Sequence, residues 1–161
     1  MFSPSCQDNE VLTELASKQA PHQATILVVD DFDDTRRLLR TWLERKGYRV
    51  VEAENGMQAI SEAESENPDL IIMDLQMPEL DGLAATRKIR ECKKLADVPI
   101  VAVSAYGADM FRLPALQAGC NEYVSTPFEP SDLERLIRSY LHQELLKAPE
   151  DNGPQSRPPW A

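Results

Sequence analysis

The stretch "NPDLIIMDLQMPELDG", residues 67–82, decides how this chain is read. Leu70, Ile71, Ile72 and Met73 make an unbroken apolar run, the pattern of a short strand buried on both faces. The run ends on Asp74, and a turn containing Pro78, Asp81 and Gly82 follows at once. A strand that belongs in a core thus carries a carboxylate to its own tip.

Outward from that strand, two kinds of segment alternate. Upstream, "ATILVVDD" (24–31) is a β-branched strand, and "DDTRRLLRTWLERKG" (33–47) spaces Leu38, Leu39, Trp42 and Leu43 along one helical face. Asp33 or Asp34 can cap its start, and Gly47 marks its end. "YRVVEA" (48–53) reads as a strand and "NGMQAISEAESEN" (55–67) as a helix with Met57, Ile60 and Ala63 inward. Downstream, "LAATRKIREC" (83–92) is a third helix and "VPIVAVSA" (98–105) a fourth strand. "ADMFRLPALQAG" (108–119) is a fourth helix weakened by Pro114, and "NEYVST" (121–126) a short fifth strand. "SDLERLIRSYLHQELL" (131–146) closes the series, with Ser131 as its N-cap and an inward stripe of Leu133, Leu136, Ile137, Tyr140 and Leu141.

Strands this apolar need cover on both faces, as in a parallel sheet with crossover helices. The expected architecture is a right-handed, doubly wound α/β sheet of five strands in one domain, residues 24–146. Residues 1–23 form an N-terminal extension, partly helical or disordered, with an amphipathic fragment "EVLTELASK". Residues 147–161 hold four prolines and little apolar content, the composition of a disordered tail.

Bulk properties narrow the function classes. The chain is 42% hydrophobic and 27% charged, an ordinary globular balance. No apolar run reaches the roughly 18–20 residues of a membrane span, and no secretory signal opens the chain, so a cytoplasmic location without membrane insertion is expected. Cys6, Cys92 and Cys120 are an odd number without C-x-x-C spacing, which indicates neither disulfides nor zinc. The net charge of −10, with no basic cluster, argues against direct nucleic-acid binding.

In open α/β sheets, functional groups gather beyond the C-terminal ends of the strands. Those ends carry Asp30 and Asp31 on the first strand, Asp74 on the third, Ser104 on the fourth and Thr126–Pro127 after the fifth. If the first and third strands are neighbours, three carboxylates meet, and a proton or a cation must sit among them. Oxygen donors with no His or Cys favour Mg²⁺. Asp74 could then act as a nucleophile toward phosphorus, with Ser104 donating a hydroxyl hydrogen bond. Helix capping explains Asp33 or Asp34 but not the adjacent pair Asp30 and Asp31. Asp74 alone could merely open a turn; it is the coincidence at one sheet edge that points to a site.

These segments resemble the receiver domain of two-component response regulators, over about residues 24–146. The resemblance rests on "ILVVDDFDDTRRLL", "PDLIIMDLQMPELDG", "VPIVAVSA" and "AGCNEYVSTPFEPSDL"; the D-x-x-M-P-x-x-D-G pattern from Asp74 to Gly82 is the most specific. It implies a flavodoxin-like sheet of strand order 2-1-3-4-5 and a phosphoacceptor at Asp74. Mg²⁺ would be held by Asp31, Asp74 and the backbone carbonyl of Gln76, with Asp30 acting through metal-bound water. Ser104 would move toward the phosphoryl group, and Tyr123 would be the aromatic switch. Thr126–Pro127 becomes a candidate cis peptide. The implied partners are a histidine kinase or phosphotransfer protein and an output protein on the face of the fourth helix, fifth strand and last helix. The implied activity is at most autocatalytic phosphotransfer and dephosphorylation, not that of a classical enzyme.

One departure stands out. Thr126 occupies the place where such receivers usually carry a lysine before the proline. Threonine offers a neutral hydrogen bond where an ammonium would offer one roughly twice as strong. Two readings follow: a stand-alone receiver in a phosphorelay, or a degenerate receiver acting as a phosphorylation-independent binding module. A phosphatase-type hydrolase of similar architecture is a distant third, because such enzymes carry an aspartate where this chain has Gln76.

Overall fold

The computed structural model describes residues 23–105 and 108–146. The N-terminal fragment 10–18 and the proline-rich tail lie outside the described residues. The element order is β1 (Thr25–Val29), α1 (Asp33–Arg45), β2 (Arg49–Ala53), α2 (Gly56–Glu66), β3 (Leu70–Asp74), α3 (Gly82–Glu91), a 3₁₀ turn (Lys93–Leu95), β4 (Ile100–Ser104), α4 (Ala108–Ala118), β5 (Glu122–Ser125) and α5 (Pro130–Leu146). The strands pair in parallel in the order β2-β1-β3-β4-β5. The register sets Val29 beside Met73, and Asp74 beside Val103.

Alternate strand residues feed two separate cores, as a period of two requires. Leu27, Val29, Ile71, Met73, Ile100 and Ala102 pack with Ala59 and Ala63 of α2, Ala85 and Ile89 of α3 and Ala115 of α4. On the other face, Ile26, Val28, Leu70, Ile72 and Val101 pack with Leu43 of α1 and Leu133 and Ile137 of α5. Each large side chain buried here contributes roughly 1.5–3 kcal/mol. Cys120 is buried and Cys92 half-buried, both free thiols.

Several local expectations are corrected. Met57 is exposed at 64%, because α2 meets the core through Gly56, Ala59 and Ala63. Gly56 sets that face: a Cβ there would lie 2.5 Å from the Leu80 carbonyl oxygen, so only glycine allows the approach. Leu38 is exposed at 71%, while Leu43 is fully buried and Leu39 and Trp42 are partly so. Asp33 and Asp34 do not cap α1. Phe32 is the N-cap without a side-chain bond, and the two aspartates sit in the first turn, where they complement the helix dipole. Ser131 is likewise inside α5, which starts at Pro130, a residue suited to a first helical position.

At the lower, N-terminal end of β4 and β5, Arg90 closes α3 onto its neighbours. Its guanidinium donates to the carbonyls of Gly119 (2.9 and 2.7 Å), Leu95 (2.9 Å) and Ala96 (3.2 Å) and to Oδ1 of Asn121 (2.8 Å). Asn121 Oδ1 also accepts from the Ile100 amide at 2.9 Å. Burial pushes the Arg90 pKa down, without depriving it of partners.

Candidate functional site

Asp30 and Asp31 follow β1, and Asp74 ends β3; because these strands are neighbours, the three carboxylates converge. One oxygen from each lies within 4.8 Å of the others. Asp30 is held by its own loop. Its Oδ1 accepts from the Phe32 amide at 2.8 Å, and its carbonyl accepts from Arg36 Nη1 at 2.8 Å. Arg36 also pairs with Asp33, and with Glu52 at 3.4 Å, and its charge opposes only part of the rise that burial imposes on Asp30. Asp74 Oδ1 accepts from the Gln76 amide at 3.0 Å. Gln76 is thus close to the cluster and lines the same cavity.

Burial pushes Asp74 up to about 7, the Gln76 amide opposes the rise, and the charges of Asp30 and Asp31 add to it. Asp30 is also raised, chiefly by burial. Asp31 Oδ1 is buried with no hydrogen-bond partner. An orphaned carboxylate oxygen beside two carboxylates held above their usual range is a site short of positive charge. With oxygen donors alone, the residues present fit a hard divalent cation such as Mg²⁺.

The remaining predicted residues surround this cluster. Ser104, 1% exposed, ends β4 next to the strand that carries Asp74. Its carbonyl accepts from the Thr126 amide at 2.9 Å and from Thr126 Oγ1 at 3.4 Å. The Thr126–Pro127 peptide is cis. Asp74, Gln76, Ser104 and Thr126 all line one cavity of about 500 Å³. Tyr123 is not in that lining; it is buried at 8% exposure in the core shared with Ala102 and Ala115, and Phe111 packs against that core. Met110, beside Phe111, is exposed at 75%.

Sequence reasoning missed two contributors. Gly82 closes the loop after β3 onto the Asp74 backbone, and the D-G pair of the motif was its signal. The cavity's apolar side, formed partly by Leu39, Trp42 and Phe128, carried no sequence signal, because it arises only when α1 and α5 flank the same strand ends.

The chain is a parallel α/β sheet of order β2-β1-β3-β4-β5 with an acidic cluster at its C-terminal edge, and comparison with known proteins supplies the class. A family model described as the response regulator receiver domain matches residues 26–138. The chain belongs to this family of two-component response regulators. Such receivers are signalling modules, not classical enzymes. A 14.6 kDa uncharacterized protein of Leptolyngbya boryana is 42% identical over 73% of this chain and 90% of its own length. The transcriptional regulatory protein ResD of Bacillus subtilis is 40% identical over 76% of this chain. The chain spans about half the length of ResD and the other transcriptional regulators it matches. Among solved structures, the receiver domain of the sensor histidine kinase PA1611 from Pseudomonas aeruginosa is 36% identical, with a TM-score of 0.70 over 75% of this chain and 99% of that one. That structure has a magnesium ion coordinated in its active-site cleft. Among the described residues no helix is long and apolar enough to cross a membrane.

Proposed function

We propose that this chain is a cytoplasmic phosphorelay receiver in which Asp74 accepts a phosphoryl group from a histidine kinase or phosphotransfer protein. The observation that carries this reading is the convergence of Asp30, Asp31 and Asp74 within 4.8 Å, at the rim of a rigid sheet. In the transfer, an Asp74 oxygen bonds to phosphorus while the donor's P–N bond breaks. The electron pair leaves on the imidazole nitrogen, which takes a proton. Mg²⁺ held by Asp31, Asp74 and the Gln76 carbonyl, with Asp30 in the outer shell, would supply charge neutralisation there. The chain's own groups would orient the acceptor: the Gln76 amide holds one Asp74 oxygen, and Ser104, in the lining of the same cavity, would move toward the incoming group and donate its hydroxyl. Tyr123 and the exposed surface of α4, β5 and α5 would pass the change to a protein partner. The receiver-sized Leptolyngbya relative supports a stand-alone role.

Incubation with Mg²⁺ and a small acyl phosphate should add the mass of one phosphoryl group, and Asp74→Asn should abolish the gain. No gain, either with acyl phosphate or with a panel of kinases, would exclude the reading.

A second reading, a phosphorylation-independent binding module, is favoured by one observation. Both donors of Thr126 are turned to the Ser104 carbonyl, and among the described residues no lysine or arginine lines the cavity. Partner affinity unchanged by Asp74→Ala would support it. A large rise in phosphorylation on Thr126→Lys would show that the native site works at reduced strength.

A further inference from the structure

The loop between β1 and α1 carries both Asp30 and Asp31, and a side chain of α1 reaches back to hold it. Arg36 Nη1 donates to the Asp30 carbonyl at 2.8 Å. That oxygen belongs to the peptide joining Asp30 to Asp31. Because a peptide is planar, holding its oxygen also fixes the plane from which the Asp31 Cα departs. Backbone and loop bonds brace the same turn. The Asp30 amide donates to the Ala53 carbonyl at 3.1 Å, the Phe32 amide to Asp30 Oδ1 at 2.8 Å, and the Arg36 amide to the Phe32 carbonyl at 3.0 Å.

Arg36 is itself fixed. Its side chain is 11% exposed, its Nη2 pairs with Asp33, and its Nε lies 3.4 Å from Glu52 of β2. One planar guanidinium thus serves the Asp30 carbonyl and two carboxylates together, which the compact ammonium of a lysine does not reproduce. Asp31 Oδ1, by contrast, is buried without a hydrogen-bond partner. The aim of that oxygen comes from the backbone beneath it, and Arg36 holds that backbone.

We propose that Arg36 is a positioning residue for the Mg²⁺ site: through the Asp30–Asp31 peptide it keeps the Asp31 carboxylate directed at Asp74. This deepens the receiver reading and rests on it. Charge and aim act with opposite signs here. As a nearby cation Arg36 repels Mg²⁺, so if charge were its whole contribution its loss would tighten metal binding. Acting by aim, its loss weakens binding, on the scale of about 10–100-fold that outer-shell partners of metal ligands carry.

Calorimetric titration of Mg²⁺ into the full chain reads that sign. Arg36→Met keeps an apolar stem and removes the side-chain donors; it should weaken Mg²⁺ about tenfold. In metal-free protein the same variant should quicken amide exchange at Phe32, whose amide bonds to Asp30. Arg90→Leu is the control for lost stability alone, and its Mg²⁺ affinity should stay within about twofold of the parent. If Arg36→Met fails to fold, Glu52→Gln, which loosens Arg36 from β2 without touching the loop, decides by the same sign. Affinity unchanged or tightened, exchange at Phe32 unaltered, or an equal loss of affinity in Arg90→Leu would each overturn the proposal. Absence of Mg²⁺ binding by the parent chain would overturn it together with the metal site. The acceptor reading is tested separately, by acyl phosphate labelling of Asp74 in the parent; labelling of Arg36→Met should recover in excess Mg²⁺.

Discussion

Gly82 rests against the backbone of Asp74. A Cβ at Gly82 would lie 2.2 Å from the Asp74 carbonyl oxygen and 2.8 Å from Leu75 Cα. Neither contact is with a flexible side chain, so nothing cheap can give way. The start of α3, capped by Asp81 through the Ala84 amide at 2.8 Å, is thereby locked to the acceptor strand.

Gly82→Ala should therefore lower stability by about 2–3 kcal/mol, the scale of overpacking in a tight site. Gly47→Ala is the control: its Cβ meets nothing within 4 Å, and its φ of +94° should cost only about 1 kcal/mol. Urea denaturation of both variants checks the difference. The Gly82 change should also weaken Mg²⁺ binding, whereas the Gly47 change should not.

The raised pKa of Asp74 predicts a direction for pH dependence. A carboxyl near 7 when folded and about 4 when unfolded binds its proton more tightly in the native state. Its contribution is complete below about pH 4 and is lost as pH rises through 7. Discounted for solvent screening at the open rim, the loss in metal-free protein is about 1–2 kcal/mol. Asp30 shifts the same way. Thermal melts should show declining stability from pH 4 to 8, a larger Mg²⁺ stabilisation at pH 8 than at pH 5, and a flatter profile for Asp74→Asn.

Arg90→Leu should cost about 2–4 kcal/mol, because it strips partners from the carbonyls of Gly119, Leu95 and Ala96 and from Asn121. Arg90→Lys should recover only part of this, since an ammonium cannot reproduce the planar fork. Chemical denaturation reads both. Mg²⁺ affinity should stay within about twofold of the original, since a tenfold change needs ~1.4 kcal/mol at the site itself.

The two faces of α2 should respond in opposite ways. Met57→Gln, on the exposed side, should change stability by no more than about 0.5 kcal/mol. Ala59→Leu, at a fully buried position, should overpack the core and cost about 1–3 kcal/mol. Equal costs in a denaturation series would reverse the facing of this helix.

Strand positions and the carboxylates at their ends were legible in the sequence, because a parallel sheet buries both faces of each strand and leaves unbroken apolar runs such as Leu70–Met73. Strand order was legible only through resemblance, since periodicity says nothing about neighbours. The facing of Met57 and Leu38 was not legible. Apolar spacing alone cannot show that α2 packs through glycine and alanine, nor that α1 leaves one leucine outside at the cavity rim. Caps failed for a related reason: Asp33 and Ser131 are good capping residues, but the chain enters each helix a residue or more earlier. The Arg90 clamp joins groups up to 31 residues apart, so no local pattern announces it.

That clamp has a mechanical consequence. It pins the lower end of α4, through Gly119 and Asn121, while the helix's upper end lies toward the strand tips that carry Ser104 and Thr126. With that end held, any tilt of the helix would move its upper end most and its pinned end least. Amide exchange should accordingly be slowest around Ile100 and Asn121 and quicken steadily toward Met110.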